Sequence, residues 1–372
     1  MVINEWASLI YRFIICFIFM CYNLPAKATH VAYIGPSQEA SSYWKNFLTP
    51  LPAVAKQLNL TLTFHHPEHK NRFDIIPLVE ALMEEETKPD FIISAFRNSN
   101  ATPLLELIEK HKIPLITVST GVPMIDQKKI GSPQQKYKYW VAQIISDDIS
   151  SGVLLARKLI EHRRSVLPNK KVKMVAIGGN KVFEASRLRD IGLKKEISSN
   201  PNVDSLQLVQ SNWDNKTAER MTQQLLNRHP EIDAIWAANI DVAFAAEKVM
   251  TNHHTSENEL PDIATVDWTK EGFLAIKNEK IVFSLGSNHF IGVWALILYH
   301  DIANGFPILP SEPTTFITPY IAADINNIDI IEPYLDGDYW KNVNIKIFSK
   351  YFNKQLKNYN FDFELLLKDK KG

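Results

Sequence analysis

The sequence predicts an α/β protein built from two doubly wound parallel sheets, each covered on both faces by helices. Short apolar runs alternate with longer segments of helical period, and the runs are continuous and β-branched, without a polar alternate. They are also too numerous for one comfortable sheet, so they divide into two lobes.

The runs at residues 30–35, 60–65, 90–96, 113–119, 172–178, 203–209, 232–238, 263–267 and 281–286 are the expected strands. Between them lie helical segments at 43–58, 75–86, 102–111, 147–162, 185–198, 216–228, 242–251 and 290–304. The clearest is 147–162, where Ile149, Val153, Ala156 and Ile160 recur at three- or four-residue steps behind Ser146 and Asp147 as candidate caps. Strand–helix alternation of this kind calls for right-handed βαβ crossovers. The division is expected near 141–145, where the Pro- and Lys-containing loop 123–138 ends. Beyond Gly305 the prolines at 307, 310, 313 and 319, an acidic stretch and a Lys- and aromatic-rich end read as return crossings and an appended edge.

At 372 residues and 45% hydrophobic content the chain can fill two cores. Lys plus Arg and Asp plus Glu both number 41, so no global charge draws it to nucleic acid or to an anionic membrane. The apolar run 13–24 followed by Pro25-Ala26-Lys27-Ala28 has the form of an export signal cleaved after Ala28, and it is short for a span of about 20 residues. Both cysteines, Cys16 and Cys21, fall inside it, which leaves the expected mature chain without disulfides or Cys-ligated metal and suits a bacterial periplasm.

The motifs of phosphate binding and serine hydrolysis, G-x-G-x-x-G, G-x-x-x-x-G-K-[ST] and G-x-S-x-G, are missing. The pairs His65-His66 (with His69) and His253-His254 lack ligand spacing and a carboxylate partner, so no metal and no cofactor are expected. What remains is a set of polar and aromatic residues at the C-terminal ends of the expected strands, where open α/β sheets bind ligands. They are Ser41 and Trp44 after the first strand, Ser119 after the fourth, Phe183 and Arg187 after 172–178, Asn239 and Asp241 after 232–238, and Asp267 with Trp268 after 263–267. A polyhydroxylated ligand offers apolar faces for indoles and hydroxyls for Arg, Asn and Asp. Residue by residue, each also has a structural alternative: the tryptophans as core, Asp241 as a helix cap.

These residues sit in stretches that resemble the type I periplasmic binding proteins of the ribose and galactose class, and within it the autoinducer-2 receptors. Ser41-Ser42-Tyr43-Trp44 looks like the first-loop element, Ile113-Pro114-Leu115-Ile116 with Ser119 the fourth strand, and Ile145-Ser146-Asp147-Asp148 with Gly152 the start of the second lobe. Glu184-Ala185-Ser186-Arg187 with Gly192 is similar to the element whose arginine clasps the ligand, a role the resemblance gives to Arg187. Ala237-Ala238-Asn239-Ile240-Asp241 resembles the Asn/Ser-x-Asp motif, and Val266-Asp267-Trp268 a ligand-binding strand end. Gly286-Ser287-Asn288-His289 with Gly292 resembles the second hinge crossing, which adds Asn288 to the expected contacts; the second arginine of the autoinducer receptors has no counterpart there. An anionic borate diester is therefore disfavoured, and a neutral sugar or polyol fits better.

The resemblance implies two Rossmann-like lobes joined by three hinge crossings near 141–145, 286–288 and 318–322. The N-terminal lobe would comprise 29–142 plus 287–319, and the C-terminal lobe 143–286 plus 320–372. It further implies a monomer that closes around its ligand and presents the closed form to a membrane permease of an ABC importer or, alternatively, to a membrane sensor kinase. An exported glycosidase using Asp241 and Asp267 is a third reading, but no pair of carboxylates at a defined separation is fixed by the sequence, and no enzyme is expected.

Overall fold

A computed structural model describes residues 28–67, 74–96, 100–253 and 260–369. The expected export signal up to Lys27, with both cysteines, and the histidines His69 and His254 lie outside the described residues. Two six-stranded sheets form the protein. The first has strands β1 (His30–Ile34), β2 (Thr61–His65), β3 (Phe91–Ser94), β4 (Leu115–Ser119), β5 (Trp140–Ser146) and β11 (Thr315–Thr318), in the order 11-5-4-3-1-2. All its pairings are parallel. The second has β6 (Val172–Gly178), β7 (Val203–Gln210), β8 (Ala234–Ala237), β9 (Asp262–Val266), β10 (Phe283–Gly286) and β12 (Ile321–Ala323), in the order 12-10-9-8-6-7. Its pairings are parallel except that of β12 on β10.

The strand order reverses on either side of β1 and β6, so each sheet has the switch point beside which open α/β sheets bind ligands. Almost every residue of β1, β3, β6, β8 and β9 is buried, as sheets covered on both faces require. The helix Ile291–Ala303 is apolar nearly all round and buried from Ile291 to Asp301, and it backs the first sheet along β3, β4 and β5.

Three parts differ from the sequence expectation. Residues 141–145 are not a crossing but the body of β5; the chain passes to the second lobe only at Asp147-Asp148. The single helix expected over 43–58 is two, Ser42–Leu48 and Leu51–Gln57, because Pro50 and Pro52 interrupt the ladder and restart it. Nor do residues 320–372 simply complete the C-terminal lobe. After β12 the tail packs first on the second lobe, then on the first: Trp340 offers its carbonyl to Gln57, and Ser349 and Tyr359 bond Asp301.

The helices Asp148–Val166 and Glu184–Ser199 touch through glycine. A Cβ on Gly192 would lie 2.0 Å from the Ile149 carbonyl oxygen, and one on Gly152 would lie 2.1 Å from that of Arg189. Both obstacles are backbone, so neither can swing aside. Gly192→Ala should therefore cost about 2–3 kcal/mol in urea unfolding, as overpacking does; an unchanged midpoint would show that the helices can separate freely.

Candidate ligand-binding site

The C-terminal edges of the two sheets face each other, and three crossings pass between them, at Asp147-Asp148, at Ser287-Asn288 and at Pro319-Tyr320. At this junction Arg189 is buried, 6% exposed, and each of its three guanidinium nitrogens makes a hydrogen bond. Nε donates to Asp148 Oδ1 at 2.9 Å, Nη1 to the Ala238 carbonyl at 2.7 Å, and Nη2 to the Tyr320 hydroxyl at 2.8 Å. Tyr320 in turn donates to Asp148 Oδ1 at 2.8 Å. Burial pushes the Asp148 carboxyl up, while the Arg189 charge and the Tyr320 hydrogen bond oppose that shift.

Beside this pair, Asp267 directly follows β9 at 3% exposure and accepts from Asn288 Nδ2 at 2.8 Å; the Oδ1 of Asn288 is buried and has no partner among the described residues. Asn239 uses its Oδ1 to cap the helix Ile240–His253 through Val242 N. Asp241, one residue inside that helix, accepts across the cleft from Ser42 Oγ at 2.8 Å. From the first lobe, Tyr43 donates to Ser119 Oγ at 2.9 Å and reaches the Asn288 carbonyl at 3.4 Å, and Asn46 Nδ2 donates to the Trp268 carbonyl at 2.6 Å. Trp44 packs edge-on against Tyr43 at 5.0 Å.

Strand-end residues here also hold strained backbone. Ser119, Asp267 and Ser287 have φ of 70°, 80° and 79°, in the left-handed region that costs non-glycine residues on the order of 1–3 kcal/mol. Such strain persists where the surroundings over-determine it, and it gathers at functional sites.

Of the residues expected from the sequence, Ser119, Asn239, Asp241, Asp267 and Asn288 converge on this junction, with Trp44 beside Tyr43. Ser41 is adjacent, but its hydroxyl caps the helix Ser42–Leu48 through Trp44 N, and it is Ser42 that reaches the opposite lobe. Phe183 is half-buried just before the helix Glu184–Ser199. Two expectations are corrected. The Arg187 side chain is half exposed, and its ion pair is with Glu184 at 3.7 Å, one turn back on its own helix. Trp268 is a core residue, fully buried, with its indole donating to the Ser284 carbonyl at 3.1 Å and its ring lying over Gly286.

The sequence reading missed Arg189, Asp148, Ser42, Tyr43, Asn46 and Tyr320. Helical phase holds the signal for the first: Ser186, Arg189, Leu193 and Glu196 recur at three- or four-residue steps on the buried face, and two residues separate Arg187 from Arg189 by about 200°.

The family model of the periplasmic binding protein domain matches residues 31–305, and the two-lobed architecture is that of its type I members. The chain belongs to this family. Among solved structures of the fold, a periplasmic sugar-binding protein from Pseudomonas fluorescens is 23% identical with a TM-score of 0.79, covering 91% of this chain and 99% of its own. An ABC transporter periplasmic solute-binding protein from Actinobacillus succinogenes, with bound D-allose, is 19% identical with a TM-score of 0.70, covering 81% of this chain and 99% of its own. An ABC transporter solute-binding protein from Bacillus halodurans, with bound myo-inositol, is 17% identical with a TM-score of 0.67, covering 84% and 100%. At these identities the likeness is one of fold. No curated protein sequence matches the chain.

Burial pushes the Asp267 carboxyl up to about 6 from its ordinary 3.8, with the Arg189 charge and the Asn288 amide opposing. A folded-state value above the unfolded one means that folding takes up a proton, so this stability is full below the unfolded value of 3.8 and is lost as pH rises through about 6. Asp267→Asn keeps the acceptor for Asn288 and tolerates the positive φ. In the ligand-free protein it should raise the unfolding free energy at pH 7 by on the order of 3 kcal/mol relative to pH 4. An equal effect at both pH values would contradict the assignment.

Proposed function

We propose that this chain is an exported, periplasmic solute-binding protein that closes its two lobes around a neutral sugar or cyclic polyol and delivers it to an ABC importer. The observation that carries this reading is the Ser42–Asp241 hydrogen bond, which joins the lobes beside a buried cluster of three carboxylates and one guanidinium. Asp148, Asp241 and Asp267 outnumber Arg189, and Asn288 Oδ1 has no donor among the described residues. The site is thus rich in acceptors and carries excess negative charge. It suits a ligand that presents several hydroxyl donors and disfavours one bearing a carboxylate or phosphate.

The aromatic face of Trp44 and Tyr43 supplies the apolar wall that a sugar ring requires. The clasping role expected of Arg187 passes to Arg189, with Asp148 as its partner. Relatives of the same fold with bound D-allose and bound myo-inositol support this ligand class, and their description as ABC transporter proteins supports the importer over the sensor kinase. Closure that makes both lobes bind at once couples occupancy to a shape that a membrane partner can read.

A thermal-shift screen of D-allose, myo-inositol and other neutral sugars, with glucuronate and glucose 6-phosphate as anionic controls, tests this. A neutral ligand at 100 times its Kd should stabilise by about 2.7 kcal/mol, and the anionic controls should not. Asp148→Asn combined with Arg189→Gln removes the pair without stranding a buried charge, and it should abolish the shift, whereas Arg187→Ala should retain it. A shift with the anions alone, or one abolished by Arg187→Ala, would overturn the reading.

A further inference from the structure

The family model ends at residue 305. The C-terminal tail, residues 324–369, extends well past that match and touches both lobes. On the second lobe, Lys277 pairs with Asp329 at 3.0 Å and Glu332 at 2.9 Å, and Lys270 with Asp336 at 3.5 Å. On the first lobe, Gln57 donates to the carbonyls of Trp340 and Val343, and Trp340 is fully buried. Further along, the buried Asp301 accepts from Ser349 Oγ, Lys350 N and Tyr359 OH, Lys350 pairs with Glu312, and Trp294 lies between Phe348 and Phe361.

The tail then returns to the second crossing. Phe363 stacks on Phe290 at 4.7 Å and meets the edge of Trp268 at 5.6 Å, while the Tyr334 hydroxyl donates to the Leu366 carbonyl. Phe290 follows the crossing residue Asn288, and Trp268 follows Asp267. The tail is therefore wedged against the residues that any hinge rotation must move.

We propose that residues 324–369 form a strap that ties the two lobes together and limits how far they open. Only three residues lie between the anchor at Asp336 on the second lobe and that at Trp340 on the first, four steps that span at most about 14 Å when fully extended. A wide opening exhausts that slack, so the lobes separate further only when the exposed Lys270–Asp336 pair breaks or Trp340 leaves the core. The strap also adds the Phe363 wedge, which must lose contact with Phe290 or Trp268 as they move apart. The strap depends on packing alone and acts whichever ligand the cleft takes.

The two cysteines, Cys16 and Cys21, both precede residue 28, so in a chain starting at Thr29 Ile125→Cys on the first lobe and Ile191→Cys on the second can carry spin labels. Inter-label distances would be measured by pulsed electron resonance on the ligand-free protein in three forms: intact, with eight Gly/Ser residues inserted at Gly337, and with a protease site at Gly337 cut after folding and combined with Phe363→Ala. Far-UV circular dichroism checks that each is folded, and the uncut insertion keeps the test informative if the cut form unfolds. A single narrow distribution in the intact protein, with longer and at least twofold broader distances in the loosened forms, is expected. Indistinguishable distributions in the intact and loosened forms, whether all narrow or all broad, would overturn the strap.

Discussion

The arrangement of this protein depends on one buried interaction, the guanidinium of Arg189 held by Asp148, Tyr320 and the Ala238 carbonyl. Desolvating such a pair offsets much of its attraction, so its value lies less in stability than in fixing geometry. Asp148 begins the helix after the first crossing, Tyr320 sits in the third, Ala238 follows β8, and Arg189 lies on the helix after β6. One side chain thus registers two crossings and a strand end. The glycine contact between the helices Asp148–Val166 and Glu184–Ser199 brings Arg189 and Asp148 within reach, since any side chain at Gly152 would meet the Arg189 backbone.

From that constraint the character of the cleft follows. Beside the Arg189–Asp148 pair, the carboxylates of Asp241 and Asp267 and the amide oxygen of Asn288 gather as acceptors, with strained backbone at Ser119, Asp267 and Ser287. Donors from a ligand complete them. The first lobe brings hydroxyls, an amide and aromatic edges, which arrive only when the lobes meet. In the proposed function recognition and closure would be the same event, and the proposed strap would set how much movement that event spans.

The strands were legible because parallel sheets buried on both faces leave an unmistakable apolar run, and most lie within a residue or two of the expected bounds. β5 was read as a boundary because its neighbour in the sheet, β11, arrives some 170 residues later, a pairing no local pattern reveals. That polar residues gather at the strand ends was legible from position; their binding of a ligand belongs to the proposed function. The buried arginine was less so, because the motif points to Arg187 while only the phase of the helix singles out Arg189. Trp268 was misplaced because an indole after a strand end satisfies the pattern of a pocket wall and of a core filler equally; only its hydrogen bond to Ser284 and its packing on Phe363, far along the chain, decide between them. The tail carried no period, and its role lies entirely in long-range contacts.

Backbone hydrogen exchange followed by mass spectrometry, with and without a stabilising neutral sugar, tests most directly whether both lobes grip one ligand at the junction around Arg189. Added protection should appear together at the segments following β1 and β4 in the first lobe, following β6, β8 and β9 in the second, and at the crossings Ser287-Asn288 and Pro319-Tyr320. Protection confined to one lobe, or centred on the surface pocket lined by Lys181, Arg187 and Lys194, would contradict it.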